Sequence, residues 1–442
     1  MSHCPSRLLV RVHRAPVLVL LLLVGLIVAA IGVAATLPAR STAPVAVAAD
    51  PGAALSAQIA QLRGQLDRMP GNAPRWAALG GAYVELARIT GDPANYGAAQ
   101  RALDRSLELQ PEGNADALIG LGALKNALHE FGPAKGYAEQ AVSLRPSSAD
   151  AYGVLADALT QLGEADAATV AVQRMLDLRP GVASFTRAAY DLELHGRTDD
   201  ARTALEMALN AASTADQIAF CRYHLGELAF DTGRLDEAET HYRAGLLADP
   251  THVALRQGQA KALAARGDTD RAVELYREVT EDSPLPGYLI ELAELLESAG
   301  RTEEAAAAYA VVTDRFRALE AQGVTEYVDA ALLAAEHGDP AEAVRLAQLE
   351  FGRRQNVLTA DVLAWSLHRA GRDAEAIGYA DRANALGRRS ASLAYHRGMI
   401  LAALGDTDRA AAALTDALTI NPHFSPLHAP RARQALDALT TR

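Results

Sequence analysis

The chain has 442 residues, half of them apolar but only 5% aromatic, with a formal charge of −12 and a sequence pI near 5.5. Nearly all its basic charge is arginine, lysine occurring only at positions 125, 135 and 261. Such an acidic body argues against nucleic acid, whose binding depends on neutralising phosphates with Lys and Arg. The scarcity of aromatics leaves Ala and Leu to carry the packing, which suits closely spaced helices.

Residues 15–37, APVLVLLLLVGLIVAAIGVAATL, carry no charge. At helical rise, such a run reaches about 34 Å, enough for a hydrocarbon core of about 30 Å. Arg7, Arg11 and Arg14 precede it and Arg40 follows, so the excess of positive charge predicts a cytoplasmic N-terminus at 1–14, a signal-anchor at 15–37 and a body outside the cytoplasm. Cleavage after Ala46-Val47-Ala48 is the alternative, and it would release a secreted body. Cys4 lies before the run and Cys221 is the one cysteine of the body, so no disulfide forms within the body. Residues 38–53 mix Pro, Ala and small polar residues and read as a flexible spacer.

From 54 to 426 the pattern is helical and repetitive. Leu55, Ile59, Leu62 and Leu66 form one apolar stripe before Pro70, as expected of a lone helix covering the open end of an array. Further on, a Gly is followed five residues later by an Ala at 163/168, 196/201, 233/238, 267/272, 300/305, 338/343, 371/376 and 405/410. Successive glycines lie 33 to 38 residues apart, a period that marks stacked helical pairs rather than one globular core. The Gly suits a left-handed helix end, and the Ala suits close helix packing. Pro111, Pro146, Pro180, Pro250, Pro284 and Pro422 close units, since Pro does not continue a helix interior. Residues 427–442 read as a C-terminal capping helix, with Leu436 and Leu439 inward and Arg431, Arg433 and Asp437 outward.

The pattern resembles the tetratricopeptide repeat. Trp76, Leu79, Gly80 and Tyr83 stand as W-x2-L-G-x2-Y; Leu225, Gly226, Ala238, Tyr242 and Pro250 keep the family spacing, as do Gly398, Ala410, Ala417 and Pro422. The resemblance, to membrane-anchored bacterial members, implies an all-α, right-handed α-solenoid of about ten helix-turn-helix units from Asn72 to Pro422. Thr90–Tyr96 forms an extra stretch between the helices of unit one, and units seven to nine have degenerate openings. With both flanks assigned, no stretch remains for a separate catalytic domain.

The resemblance further implies a concave groove lined by first helices. The matching positions include Asp157, Tyr190, Glu193, Tyr223, Glu227, Phe230, Glu294, Glu297, Trp365 and Tyr395, with Lys261 and Arg369 as rare cations. The Lys, Arg and Asn clamp with which some members grip a C-terminal carboxylate is missing. Carboxylates interleaved with aromatics suit an extended protein segment bearing Arg or Lys. The expectation is a non-enzymatic protein-interaction scaffold or assembly factor, without cofactor or metal. Two alternatives stand beside it: a metal-handling or hydrolytic accessory protein using His423 and His428, and a self-associating structural protein. No GxSxG, P-loop, HExxH or CxxC motif occurs.

Overall fold

The computed structural model describes residues 51–90, 92, 94–321 and 326–441. The expected signal-anchor, the segment before it and most of the spacer lie outside the described residues. Among the described residues no helix is long and apolar enough to cross a membrane.

The described residues form helices joined by turns, with no strand. Helix α1 (Pro51–Arg68) stands alone, so residues 51–53, expected in the spacer, are already helical. The first pairs are α2 (Ala73–Thr90) with α3 (Ala94–Leu109), α4 (Ala115–Ala127) with α5 (Phe131–Leu144), α6 (Ala149–Leu162) with α7 (Ala165–Leu178), and α8 (Val182–Leu194) with α9 (Thr198–Ala211). The middle pairs are α10 (Ala215–Asp231) with α11 (Leu235–Ala248), α12 (Val253–Ala265) with α13 (Thr269–Asp282), and α14 (Pro286–Ser298) with α15 (Thr302–Ala321). The last are α16 (Tyr327–His337) with α17 (Pro340–Arg353), α18 (Val357–Arg369) with α19 (Asp373–Asn384), and α20 (Ala391–Ala403) with α21 (Thr407–Ile420). Helix α22 (His428–Thr440) covers the last pair. Consecutive helices pack on one another, except α15 with α16, and most first helices also touch the first helix of the following unit, the arrangement of a solenoid.

Small residues set how closely these helices approach. The Ala of every Gly–Ala mark is buried to 3% exposure or less. A first-helix Gly then makes room for one large side chain of a second helix. Tyr242 wedges between Gly226 and Gly258, where an added Cβ would sit 2.3 and 2.5 Å from its ring. Leu103 fits between Gly80 and Gly120 in the same way, at 2.4 Å from each.

Seven of the eight mark glycines adopt φ between 69° and 83°. Gly338 does not: its φ is −126°. Pro340 opens α17 and restricts Asp339 to extended backbone, where its carboxylate caps the Ala341 N–H. That turn therefore closes without a left-handed residue. Unit two carries no Gly mark, yet His129 takes the same left-handed place at φ 58°, five residues before buried Ala134.

The solenoid winds tightly enough for one turn of the superhelix to touch the next. A methyl group on Gly163 would lie 2.2 Å from the Gln355 carbonyl oxygen; on Gly196, 2.2 Å from that of Gly387; on Gly233, 2.7 Å from that of Ile420. Hydrogen bonds stitch the same seam. Arg354 Nη1 and Asn356 Nδ2 donate to Gln161 Oε1 at 2.8 and 3.0 Å, and buried Asn421 Nδ2 donates to the Phe230 carbonyl at 2.8 Å. Glu350, 2% exposed, anchors Arg353 and Arg354, and Arg353 also reaches the His129 carbonyl. The tips of units two to five thus meet the ends of units eight to ten.

Gly196→Ala and Gly371→Ala separate the seam from the turn. Both residues have φ near 70°, but nothing lies within 4 Å of a Cβ at Gly371. Gly371→Ala should cost only the left-handed penalty, about 1–2 kcal/mol. Gly196→Ala should lower the melting temperature further and enlarge the radius of gyration in small-angle scattering. Equal melting and equal scattering for the two variants would show that the seam is open in solution.

Candidate functional site

Closure of the seam turns the inner surface into a chamber. A cavity of about 630 Å³ is lined by the first helices of units five to ten, by residues 422–426 and by α22. The first-helix periodicity that brings inward positions onto one face thus stacks side chains of six units around one space.

Two polar networks line it. In the first, Glu227 accepts from Tyr242 Oη and Lys261 Nζ, both at 2.6 Å. Glu291 accepts from Tyr276 Oη at 3.0 Å and Gln257 Nε2 at 2.6 Å. Lys261 Nζ lies 4.6 Å from the centre of the Phe230 ring. Burial would discharge the lysine, but Glu227, Glu291 and Asp231 outweigh it and hold its pKa above the ordinary value. Burial likewise pushes the Tyr242 and Tyr276 hydroxyls up, so both stay protonated donors.

Glu336 centres the second network. It accepts from Trp365 Nε1 at 2.7 Å and Arg431 Nη1 at 3.1 Å, with His428 Nε2 at 3.4 Å. Burial disfavours its charge, but His428, Arg369 and the indole N–H prevail and hold its carboxyl well below the usual range. Trp365 stacks on His396 at 4.2 Å, and His396 Nδ1 lies 2.9 Å from Asp361. Tyr395 stacks on His428 at 5.1 Å, and burial pushes its hydroxyl up to about 12. Glu297 accepts from Tyr309 Oη at 3.0 Å and stands 3.7 Å from Arg431.

The ten sequence-derived groove residues therefore divide. Phe230, Glu294 and Trp365 line the chamber, and Glu227 holds Lys261 at its wall. Glu297, Trp365 and Tyr395 line an adjoining recess with Arg431. Glu193 lines a smaller recess with Asp231 and Arg388, and burial pushes its carboxyl up to about 7. Tyr223 packs against His224 and His252. Asp157 is occupied by Arg187, two bonds of 2.7 Å, and Tyr190 is exposed; neither lines the chamber.

Glu294 differs from the rest. Among the described residues no hydrogen bond or ion pair reaches it, and burial, reinforced by Glu291, Glu336 and Glu297, pushes its carboxyl up to about 8.

One expectation is corrected. Arg431 does not face outward; it spans Glu336 and Glu297 across the interior, because α22 takes the place of a further first helix. His428 is held between Glu336 and Tyr395, while the backbone N–H of His423 bonds Asn421. Among the described residues no group of three or more His, Cys, Asp or Glu could hold a metal ion. Glu291, Glu336 and Tyr276 escaped the sequence reading, although tyrosines at 242, 276 and 309 recur at the period and each bonds an inner glutamate.

These raised carboxyls set a pH dependence. The folded chain keeps protons on Glu193 and Glu294 that the unfolded chain releases near pH 4.5, so stability falls as pH rises through 7 and 8. Desolvation holds His224, His252 and His337 below their ordinary value, so their opposite effect is confined to lower pH. The melting temperature should fall between pH 7 and pH 8.5, and Glu294→Gln should flatten the slope. A flat wild-type profile in a thermal-shift titration would contradict the burial of Glu294.

Comparison with known families accords with this architecture. A model described as tetratricopeptide repeat matches residues 127–183, 186–253 and 258–319, and a second of the same description matches 391–424, together half of the chain. Similar solved structures include a thermophilic TPR protein of Thermus thermophilus (25% identity, 44% of this chain and 100% of that one, TM-score 0.38). A tetratricopeptide repeat protein of Parabacteroides merdae is 18% identical over 59% of this chain and 99% of its own, with a TM-score of 0.35. Yeast Tom70 is 14% identical over 88% and 86%, with a TM-score of 0.33. No curated protein sequence matches. The chain belongs to the tetratricopeptide repeat family, and its helical repeats are those of a protein-interaction scaffold.

Proposed function

We propose that this chain is a non-catalytic scaffold or assembly factor that captures a protein segment on its inner surface. The observation that carries this reading is the chamber itself. Six successive first helices and α22 turn polar and aromatic side chains toward one space large enough for several side chains of a partner. Most of these polar groups are paired with one another, so the wall is already organised before a partner arrives. Such preorganisation reduces the ordering cost of binding.

The N-terminal residues support the location. The uncharged run at 15–37 and the arginines ahead of it suit a single-pass anchor with the body outside the cytoplasm. In this reading the anchor confines the scaffold to the membrane surface and raises its local concentration toward membrane-bound partners. Segments with Arg or Lys suit the interior better than acidic ones, since carboxylates outnumber lysine and arginine along the chamber wall.

Two measurements test the reading. The full chain should sediment with membranes through an alkaline carbonate wash, and a variant lacking residues 15–37 should not. A photo-crosslinking residue in place of Ile290 or Ser392, both in the chamber wall, should trap a defined protein in cells. One in place of exposed Glu206 on α9 should not. Trapping from position 206 alone would overturn inner-surface binding.

A further inference from the structure

Within the chamber, the geometry points to a receptor for an organic cation, a guanidinium or ammonium group on a flexible stem, centred on Glu294 with Asp329 as a second acceptor. This deepens the scaffold reading, and it rests on that reading only for the source of the cation.

The carboxylates around the space are not equivalent. Glu227 is paired to Lys261, Glu291 receives Tyr276 and Gln257, Asp361 receives His396, and Glu336 receives Trp365 and Arg431. Glu294 and Asp329 line the same cavity, and among the described residues neither has a hydrogen-bonding or ionic partner. Glu294 lies on α14 one helical turn from Glu291 and one from Glu297, between the Lys261 network and the Arg431 network. It belongs to neither. Both side chains are half-buried at the cavity wall, and burial disfavours their charge. A half-buried carboxyl that no protein group satisfies is open to a donor from outside the chain.

The chemistry of the wall restricts what that can be. A phosphate or carboxylate would enter against the fields of Glu291, Glu297 and Glu336, which add at Glu294. A neutral apolar group would leave both carboxyls unsatisfied. No set of three ligating side chains is placed for a metal ion among the described residues. A guanidinium or ammonium donates several charge-assisted hydrogen bonds and offsets the burial cost directly. The space of about 630 Å³ admits such a group with its aliphatic stem, which would lie along Leu295, Leu332 and Val362.

The test is calorimetric titration of the full chain in detergent micelles at pH 7. The ligands are acetyl-arginine methylamide, its neutral counterpart acetyl-citrulline methylamide, agmatine, and an alanine-serine nonapeptide with one central arginine. The arginine compound should bind at least about tenfold more tightly than the citrulline compound. Glu294→Gln, which keeps the shape but cannot ionise against a bound cation, should erase most of that preference. Asp329→Asn should erase part of it. Equal binding of arginine and citrulline, no binding of either, or an unchanged preference in Glu294→Gln would each overturn the proposal. Tighter binding of the nonapeptide than of agmatine assigns the cation to a protein segment, and the reverse assigns it to a free amine. Persistence of the cross-links from positions 290 and 392 without arginine preference would reject the cation site and leave the scaffold standing. Arginine preference without those cross-links would do the opposite.

Discussion

Everything particular to this solenoid depends on backbone meeting backbone across its superhelical seam. Gly163, Gly196 and Gly233 face the carbonyl oxygens of Gln355, Gly387 and Ile420 so closely that no side chain fits between. A solenoid without such a contact is held only by nearest neighbours and leaves its inner face open. Here contacts more than 190 residues apart in sequence, such as Asn356 with Gln161 and Asn421 with Phe230, make the array closed as well as periodic. The left-handed Gly turn therefore has two roles at these three positions: it ends a first helix and it admits the next turn of the superhelix.

Closure changes the electrostatics of the inner surface. On an open groove, Glu227, Glu291, Glu294, Glu297 and Glu336 would be hydrated carboxylates of ordinary acidity. Enclosed, each needs a partner, and the fold supplies one to nearly all of them from a different helix. Tyrosines reach in from second helices, Lys261 from the next first helix, and Arg431 from α22. Glu336 and Glu294 show the two outcomes of the same enclosure. The first is held ionised by surrounding donors, and the second is pushed toward its neutral form by burial and by its carboxylate neighbours. The unequal treatment of chemically identical side chains is what gives the chamber a direction.

Much of the fold was legible in the residues. The Gly–Ala marks, the closing prolines and the apolar stripe from Leu55 to Leu66 lead to paired helices with a lone helix at the start, because each reports a local backbone or packing requirement. Gly338 shows the limit of that reasoning, since Pro340 two residues on closes the turn by another route. Arg431 shows a second limit. Its polarity suggests an outer face, but α22 occupies the position of a further first helix and its charge is needed within.

The repeat, the register of its helices and the acidic, aromatic character of the inward positions are all written in the order of residues, since each follows from spacing along single helices. That order does not determine which carboxylates are paired. Asp157 and Glu294 both occupy first-helix positions facing the groove, yet Arg187 takes the first and, among the described residues, nothing takes the second. That pairing emerges on folding, because the partners come from other units and from one full superhelical turn away. The small angle between successive units accumulates into closure, and no local stretch of chain contains it.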